Sequence, residues 1–268
     1  METPFLKMQG LGNDFVVFDA RVHPLVLTTA QVRGLADRRT GIGCDQLIVV
    51  ESAEGADARM RIWNADGGEV ESCGNAARCV AQLIGHRASV LTGGGRIELT
   101  PDGDGATVDM GVPRFDWDAV PLAYAMDTRD MPIGWDMLQR PGAVNVGNPH
   151  VVFFVADIDA VPLADFGPDI ETDALFPERV NVNVAQVIGR GRIRLKVWER
   201  GVGLTRACGT GACATAVVAM RRGLVDRTVM VELPGGTLRI EWRADGHIDM
   251  TGPAATSFKG IVDLGVYL

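Results

Sequence analysis

The sequence predicts an α+β protein made of two homologous halves, each a mixed β-sheet curled around one central buried helix, with pseudo-two-fold symmetry between the halves. Three observations support this fold class: a length of 268 residues, an internal repeat, and two segments that are apolar or small on nearly every helical face. With roughly 150 residues in a typical domain, the length suits one large domain or two compact ones. A helix that is apolar on all sides is a buried helix.

The internal repeat has a constant offset of 135 residues. Residues 194–209 align with 59–74 without a gap and are identical at five of sixteen positions, including tryptophan, cysteine and glycine. At the same offset, GNPHVVF (147–153) matches GNDFVVF (12–18) at five of seven positions. A period shared by separate blocks is the signature of a duplicated unit.

The repeat divides the chain into an N-terminal half, 1–116, and a C-terminal half, 117–256. We expect the final segment, 257–268, to return to the first half, and 116–141 to join the second. Homologous halves of this kind pack around a shared cleft, so equivalent residues would face each other. The alternative is a pair of similar but independent sheets.

Each half contains strand-like segments of suitable length and composition, followed by one buried helix. The strands predicted by this criterion are FVVFDA, QLIVVE, RMRIWN and RIELT in the first half, and VVFFVA, NVNVAQV, RLKVWE and LRIEW in the second. The helices follow Cys73 and Cys208, and Gly85 and Gly223 are their predicted C-terminal stops.

Composition and charge exclude several classes of protein. Hydrophobic residues make up 47% and charged residues 22%, as in globular chains. The formal charge of −8 argues against a nucleic-acid partner or an anionic membrane surface. Because the first residues lack a signal-peptide pattern, we expect a cytoplasmic protein.

The five cysteines are odd in number, which disfavours a disulfide framework, and none form a Cys-x-x-Cys pair typical of a structural zinc site. We therefore expect no metal. Cys79 and Cys213 lie inside the predicted helices and are interpreted as core residues. The role of Cys44 stays open between packing and reactivity.

Cys73 and Cys208 occupy equivalent positions, each directly before a glycine and the start of a buried helix. A helix N-terminus offers unpaired N–H groups and a positive dipole end, which favour a thiolate and bind anions. The N–H groups expected to hold a carboxylate there are those of Gly74, Asn75, Gly209 and Thr210. Two buried cysteines retained by ancestry are the alternative.

Two symmetry-related acid–base groups around one anion site suit the inversion of a stereocentre. One group removes the α-proton from one face, and the other returns a proton to the opposite face. The two thiols must then differ in protonation and exchange roles when the direction reverses. Exclusion of water and helix-end N–H groups would stabilise the carbanion.

The chain resembles the diaminopimelate epimerase family over nearly its whole length. The matching segments are KMQGLGNDFVVFD, TGIGCDQ, WNADGGEVESCGNAARC, NVGNPHVVFFV, RVNVNVAQV and WERGVGLTRACGTGACA. The resemblance implies cofactor-independent interconversion of LL- and meso-2,6-diaminopimelate, in lysine and peptidoglycan precursor synthesis, by a homodimer. It implies that Cys73 and Cys208 are the acid–base residues.

The resemblance also implies a set of substrate-binding residues. Besides the four helix-end residues, this set contains Asn13, Gln46, Asn64, Asn148, Asn181, Glu199 and Arg200. Three pairs in the set are related by the 135-residue offset, namely Asn13 with Asn148, Gln46 with Asn181, and Asn64 with Glu199.

Some positions break this symmetry, as a substrate with one reacting centre and one recognised centre requires. Arg200, opposite Ala65, suits a bidentate grip on the distal carboxylate. His150, opposite Phe15, and Glu199 are interpreted as residues that support or tune the thiols, although a packed or capping role for His150 stays open.

Three other functions remain as alternatives. The first is a proline or hydroxyproline racemase of the same fold, whose cyclic substrate has no distal charged centre for Arg200 to hold. The second is a thiol redox protein in which Cys73 and Cys208 form a disulfide. The third is an amino-acid-binding protein without catalysis, which would not require paired thiols.

Overall fold

The duplicated sequence folds into two units with the same order of strands in the computed structural model, which describes residues 2–71 and 73–267. One unit comprises Met1–Val108 with Thr251–Leu268, and the other comprises Asp109–Met250. Both combine strands with a few helices, so the predicted α+β class is confirmed.

The first unit contains nine strands that start in its two chain segments, two α-helices and a terminal 3-10 turn at Leu264–Tyr267. Its elements are β1 (Glu2–Gly10), β2 (Asn13–Ala20), α1 (Thr29–Ala36), β3 (Gln46–Glu51), β4 (Ala58–Asn64), β5 (Glu69–Val70), α2 (Gly74–Ile84), β6 (Ala88–Thr92), β7 (Gly95–Asp102), β8 (Gly105–Asp109) and β19 (Ala255–Asp263).

The sheet of the first unit is mixed. β2 pairs in parallel with β3, and β4 in parallel with β6. The pairs β1–β2, β3–β4, β6–β7 and β7–β8 are antiparallel. β19 runs antiparallel to β1 from Glu2 opposite Asp263 to Gln9 opposite Ala255.

The second unit repeats this plan with its own strands and helices. Its elements are β9 (Gly134–Trp135), β10 (Leu138–Gln139), β11 (Gly142–Asn145), β12 (Pro149–Phe154), α3 (Leu163–Glu171), β13 (Asn181–Gly189), β14 (Arg192–Glu199), β15 (Gly203–Thr205), α4 (Gly209–Arg221), β16 (Thr228–Leu233), β17 (Gly236–Trp242) and β18 (Ile248–Pro253).

Strand register confirms that the repeat is structural. β11–β12, β13–β14 and β16–β17 are antiparallel, whereas β12–β13 and β14–β16 are parallel, as in the first unit. Phe15 lies opposite Gln46, and at the same offset His150 lies opposite Asn181. Duplicated residues therefore occupy the same places in the two units.

Both predicted buried helices form, and each begins directly after its cysteine. The C-cap of α2 is Gly85, whose φ of +78° is the left-handed conformation that glycine adopts without strain. The C-cap of α4 is Arg222, one residue before the predicted Gly223. Most of α4 is alanine, glycine or valine and is buried, because small side chains let a central helix approach the strands closely.

Two further helices cover the sheets, and the sequence analysis did not predict them. α1 begins with a capping box between Thr28 and Gln31 and buries Val32 and Leu35 in the apolar core of the first unit. α3 contacts β13, β14 and β15 in the second unit. Their mixed polar and apolar composition is typical of surface helices, which lack the all-apolar pattern of α2 and α4.

The segment 116–141 packs on the second unit. Val120, Leu122, Met131 and Leu138 are buried in that unit's apolar core. The units divide between Val108 and Asp109 and between Met250 and Thr251, whereas the sequence analysis placed the boundaries after residues 116 and 256. The predicted bounds of the two halves stay predictions. None of the described helices is long and apolar enough to cross a membrane.

Candidate active site

Three of the predicted polar residues meet at one edge of the first unit's sheet. Asn13 begins β2, Gln46 begins β3 and Asn64 ends β4, so strand direction brings them together. Gln46 Nε2 donates to Asn64 Oδ1 over 2.9 Å. Asn13 Oδ1 and Gln46 Oε1 are buried without a hydrogen-bond partner in the described part of the chain. Such acceptors suit a ligand that brings N–H donors.

A network of charged side chains that the sequence analysis missed supports this edge. Asp14 accepts hydrogen bonds from Lys7 and from Arg38, whose Nη2 lies 2.6 Å from Asp14 Oδ1. Arg38 also contacts Asp45 at 2.7 Å, and Asp45 accepts from Asn13 Nδ2 at 3.3 Å. The network therefore fixes the Asn13 side chain through its hydrogen bond to Asp45. Burial by itself raises the pKa of Asp14, but these cation contacts outweigh it and hold that pKa well below the usual value.

We expect Asp14→Asn to lower the free energy of unfolding by about 3 kcal/mol at pH 7, because it leaves Lys7 buried without its carboxylate. The folded pKa of Asp14 is depressed, so this stabilisation is present above the unfolded value of about 3.9 and is lost as pH falls through the folded value. The free energies of unfolding of wild type and variant should therefore approach each other as the pH falls below about 3.9. Urea unfolding between pH 7 and pH 2 measures the difference.

The matched control is Asp19→Asn on the same strand. Asp19 pairs with Arg21 at 2.7 Å, and both side chains are about one third exposed. Because exposed ion pairs contribute roughly 1 kcal/mol or less, we expect a small effect here. Equal losses in the two variants at pH 7, or a difference for Asp14→Asn that does not shrink between pH 7 and pH 2, would contradict a buried network.

Cys73 and Cys208 are the N-caps of the two central helices, α2 and α4. Cys73 has an extended backbone with φ −151° and ψ 113°, and Cys208 is similar with φ −131° and ψ 110°. In each helix the cysteine carbonyl accepts the first helical hydrogen bond, from Ala77 N at 2.9 Å and from Ala212 N at 3.0 Å. The N–H groups of Gly74 and Asn75 lie in the first turn of α2, and those of Gly209 and Thr210 lie in the first turn of α4. Their role in binding an anion stays a prediction.

The Cys208 thiol is buried and closely surrounded. Its Sγ accepts a hydrogen bond from Gly211 N at 3.4 Å and lies 3.5 Å from Thr210 Oγ1. Burial raises the pKa of Cys208 well above its usual value, and the neighbouring Glu199 carboxyl raises it further. Burial also raises the pKa of Glu199. This environment keeps the proton on Cys208.

The other cysteines behave as core residues. Cys44 is 2% exposed in the apolar core of the first unit, and burial raises the pKa of its thiol to about 11. Burial raises the pKa of Cys79 to about 12, and Cys213 is fully buried in α4. The thiols of Cys44 and Cys79 stay protonated near neutral pH, which supports a packing role for Cys44. The residues described by the structure contain no cluster of three or more metal-binding side chains.

Arg78, in the first unit, was also missed by the sequence analysis. Its side chain is fully buried beneath the first turn of α2. Nε donates to Pro253 O at 3.1 Å, and Nη2 donates to Asn75 Oδ1 at 2.9 Å. A buried arginine among carbonyl acceptors fixes the backbone around it, so Arg78 orients Asn75 and the start of α2.

Two of the remaining predicted residues, Asn181 and Arg200, are joined by a hydrogen bond in the second unit. Asn181 is buried; its Nδ2 donates to Pro149 O at 2.8 Å, and its Oδ1 accepts from Arg200 N at 3.0 Å. Both the nitrogen and the oxygen of this side-chain amide are thus hydrogen-bonded to backbone groups. The exposed Arg200 side chain donates to Glu178 O at 2.9 Å. Glu171 of α3 accepts from Gly201 N at 2.9 Å and fixes the turn that carries Arg200.

His150 is fully buried between two asparagines, Asn148 and Asn183. Its Nε2 lies 2.9 Å from Asn148 Oδ1, and its Nδ1 lies 3.1 Å from Asn183 Nδ2. Asn183 was not predicted, although a polar residue within an apolar strand was a visible signal. Burial lowers the pKa of His150 to about 3, so the ring is neutral near pH 7.

A search for related families matches the diaminopimelate epimerase model to residues 5–115 and 142–257. The intervening residues 116–141 lie outside both matches. Among curated proteins, the diaminopimelate epimerase of Erythrobacter litoralis is 66% identical over the full length of both chains. That of Rhizorhabdus wittichii is 60% identical over all of this chain and 98% of its own, and that of Zymomonas mobilis is 53% identical over 98% of each.

Solved structures show the same fold at low sequence identity. A phenazine biosynthesis protein of the PhzF family from Enterococcus faecalis has a TM-score of 0.73 at 14% identity, covering 98% of this chain and all of its own. A hydroxyproline epimerase from Agrobacterium vitis, solved with trans-4-hydroxy-L-proline, has a TM-score of 0.67 at 15% identity, covering 97% and 91%. Such likeness establishes architecture, whereas chemistry must be argued from the site.

Proposed function

The chain belongs to the diaminopimelate epimerase family and is an isomerase of that class, and from this premise we propose that it interconverts LL- and meso-2,6-diaminopimelate with Cys73 and Cys208 as its two acid–base residues. The observation that carries the proposal is the placement of both cysteines as N-caps of equivalent central helices. A thiol at this position has helix-end N–H groups beside it for a carboxylate.

The proposed reaction balances with the two thiols alone. Cys73, as thiolate, takes the α-proton, and the electron pair of the broken C–H bond is delocalised into the α-carboxylate. Cys208 then donates its proton to the opposite face of the α-carbon, which forms the new C–H bond and leaves Cys208 as the thiolate. The reverse reaction exchanges the two roles. We propose that no cofactor is required, because acid and base are both supplied by the chain.

The protonation states in this scheme follow from the surroundings of Cys208. Burial and the Glu199 carboxyl raise the pKa of that thiol, so it starts as the acid. Glu199 acts on Cys208 because a negative carboxylate disfavours a second negative charge beside it, which raises the pKa of the thiol. The helix-end N–H groups of Gly74, Asn75, Gly209 and Thr210 stabilise the charge that develops on the reacting carboxylate.

We propose that the polar residues at the strand ends recognise the second amino-acid centre of the substrate. Asn13 Oδ1 and Gln46 Oε1, buried and without a described partner, are acceptors for an ammonium group. Asn64, Asn148 and Glu199 complete this lining. Arg200 holds the distal carboxylate. Asn181 acts by fixing the Arg200 backbone.

The deciding experiment follows both isomers and solvent isotope. The reduced protein is incubated with LL-diaminopimelate in deuterated water, and the isomer ratio and α-deuterium content are measured over time. We expect meso product with deuterium at the inverted centre. L-Lysine, which lacks the distal carboxylate, should react poorly, and L-proline should not react. Preferred turnover of proline would support the racemase alternative, and absence of inversion with every substrate would refute the proposal.

We also propose a homodimer located in the cytoplasm. β19 exposes Phe258 and Ile261, which are 51% and 68% accessible, and exposed apolar side chains on a strand are typical of a protein contact. Sedimentation equilibrium measures the mass directly. A reaction that needs two reduced thiols is favoured in the cytosol, where thiols are kept reduced.

A further inference from the structure

The second unit contains a hydrogen-bonded chain that the first unit lacks. It runs from Asn183 on β13 through His150 on β12 to Asn148. The residues at the corresponding positions of the first unit are Ile48 and Phe15, which cannot form such a chain. The chain is therefore specific to one half of a duplicated site.

Backbone carbonyl groups determine the orientation of the Asn183 amide. Its Nδ2 donates to Val151 O at 3.0 Å and lies 3.4 Å from Asn181 O. If the amide were turned over, Oδ1 would face these two carbonyl oxygens and repel them. The third contact of Nδ2, with His150 Nδ1, is therefore one in which the imidazole nitrogen accepts.

This orientation is retained at a cost. Asn183 Oδ1 is buried with no hydrogen-bond partner among residues 2–71 and 73–267. It lies against the first turn of α4, where a Cβ on Gly211 would be only 2.7 Å away. An unpartnered buried oxygen is unfavourable, so the hydrogen bonds donated by Nδ2 must outweigh this loss.

The protonation of His150 follows. The ring is neutral because burial lowers its pKa to about 3. The contact with Asn183 acts in the opposite direction and the charge of Arg200 in the same direction, but burial has the largest effect. A neutral imidazole carries one proton, and with Nδ1 accepting, that proton must be on Nε2. Nε2–H then donates to Asn148 Oδ1 at 2.9 Å. The Asn148 amide is left with its NH₂ group turned away from His150.

We propose that Asn183 is a positioning residue that fixes the Nε2–H tautomer of His150 and thereby presents the NH₂ group of Asn148, and not its carbonyl oxygen, to a carboxylate of the substrate. An NH₂ group attracts a carboxylate, whereas a carbonyl oxygen repels it, so the tautomer sets the sign of the interaction. The substrate step rests on the proposed function; the tautomer does not.

Asn183→Asp tests this inference because it keeps the shape of the side chain and replaces the donor with an acceptor. The ¹⁵N spectrum of uniformly labelled protein distinguishes protonated from unprotonated ring nitrogens, and His150→Gln assigns the His150 signals. In wild type at pH 7 we expect Nδ1 unprotonated and Nε2 protonated. A protonated Nδ1 in wild type would overturn the inference.

In Asn183→Asp we expect the proton on Nδ1. At a pH where the variant ring carries one proton, the side-chain amide of Asn148 should turn over, so that its carbonyl oxygen faces the substrate. KM for diaminopimelate should then rise about tenfold, with kcat changed less than about threefold. An unchanged KM in that state would overturn the inference. If both ring nitrogens of His150 stay protonated up to pH 9 in Asn183→Asp, Nε2 still donates to Asn148 and KM should not change. A raised KM in that case would overturn the inference.

The matched control is Gln186→Glu on the same strand. Gln186 Nε2 donates to Ala156 O at 2.7 Å, so this change also turns an amide donor into a carboxylate against a backbone carbonyl. It should leave the His150 signals and KM unchanged. A protein that shows the expected tautomer but no epimerisation would refute the proposed function alone, whereas an active enzyme with the other tautomer would refute this inference alone.

Discussion

Cys73→Ala and Cys208→Ala should each lower the rate of epimerisation by about 10³-fold or more, the upper range of what a positioned acid or base contributes. Inversion needs a base on one face of the α-carbon and an acid on the other, so loss of either thiol blocks the complete reaction. The measurement is the conversion of LL- to meso-diaminopimelate under reducing conditions, with folding checked by urea unfolding.

The same variants should separate exchange from inversion. A variant with one remaining thiolate can still remove the α-proton of the isomer whose hydrogen faces it, and deuterium from solvent returns to the same face. We therefore expect Cys208→Ala, which keeps Cys73, to exchange the α-proton of one isomer without inverting it. Cys73→Ala should exchange the other isomer more slowly near neutral pH, because burial and Glu199 raise the pKa of its remaining thiol. Full epimerase activity in either variant would contradict the two-thiol mechanism.

Cys79→Ala and Cys213→Ala are the matched controls for the two helices. Both side chains are fully buried in α2 or α4, and neither is an N-cap. A buried cysteine behaves as a small apolar residue, so its replacement by alanine should cost little stability and leave epimerisation intact. Loss of activity in these controls equal to that in the N-cap variants would indicate a general disturbance of the helices.

Arg78→Met should have the largest effect on stability. The guanidinium donates to the part-buried Pro253 O and to the buried Asn75 Oδ1, and methionine would leave both acceptors without this donor. At about 1–3 kcal/mol for each unsatisfied group, the free energy of unfolding should fall by about 3 kcal/mol or more. Epimerisation should also slow, because Asn75 and the start of α2 lose their orientation. Urea unfolding and the isomer assay measure the two effects.

Arg87→Met is the control for this substitution. Arg87 follows α2 closely, its side chain is 74% exposed, and its contact with Glu98 spans 3.7 Å. A surface change of this kind should alter the free energy of unfolding by about 0.5 kcal/mol or less. If Arg78→Met unfolded at the same urea concentration as Arg87→Met, the assigned role of the buried guanidinium would be wrong.

The duplication and the central helices could be predicted because they leave local patterns in the chain. An offset of 135 residues aligned Phe15 with His150 and Gln46 with Asn181, and the strand registers preserve that alignment. The helix starts were predictable from a cysteine followed by glycine and a long apolar segment. α1 and α3 were missed because short surface helices have a weaker pattern than buried ones.

The residues that support the site could not be predicted in the same way. Asp14 and Arg38, separated by 24 positions, form an ion pair only because a loop folds back beside β2. Arg78 looks like an ordinary helical arginine until the chain near Pro253 closes over it. In each case the sequence shows the residue type but not the partner.

The sequence alone therefore determined the repeat, the two cysteines at helix starts and the family resemblance, because each depends on residue identity and on spacing along the chain. Tertiary structure was needed to show that burial and Glu199 keep Cys208 protonated, and that Asn183 sets the tautomer of His150. The physical reason is that pKa values and hydrogen-bond directions depend on the solvent exclusion and partners that arise only when distant strands pack together.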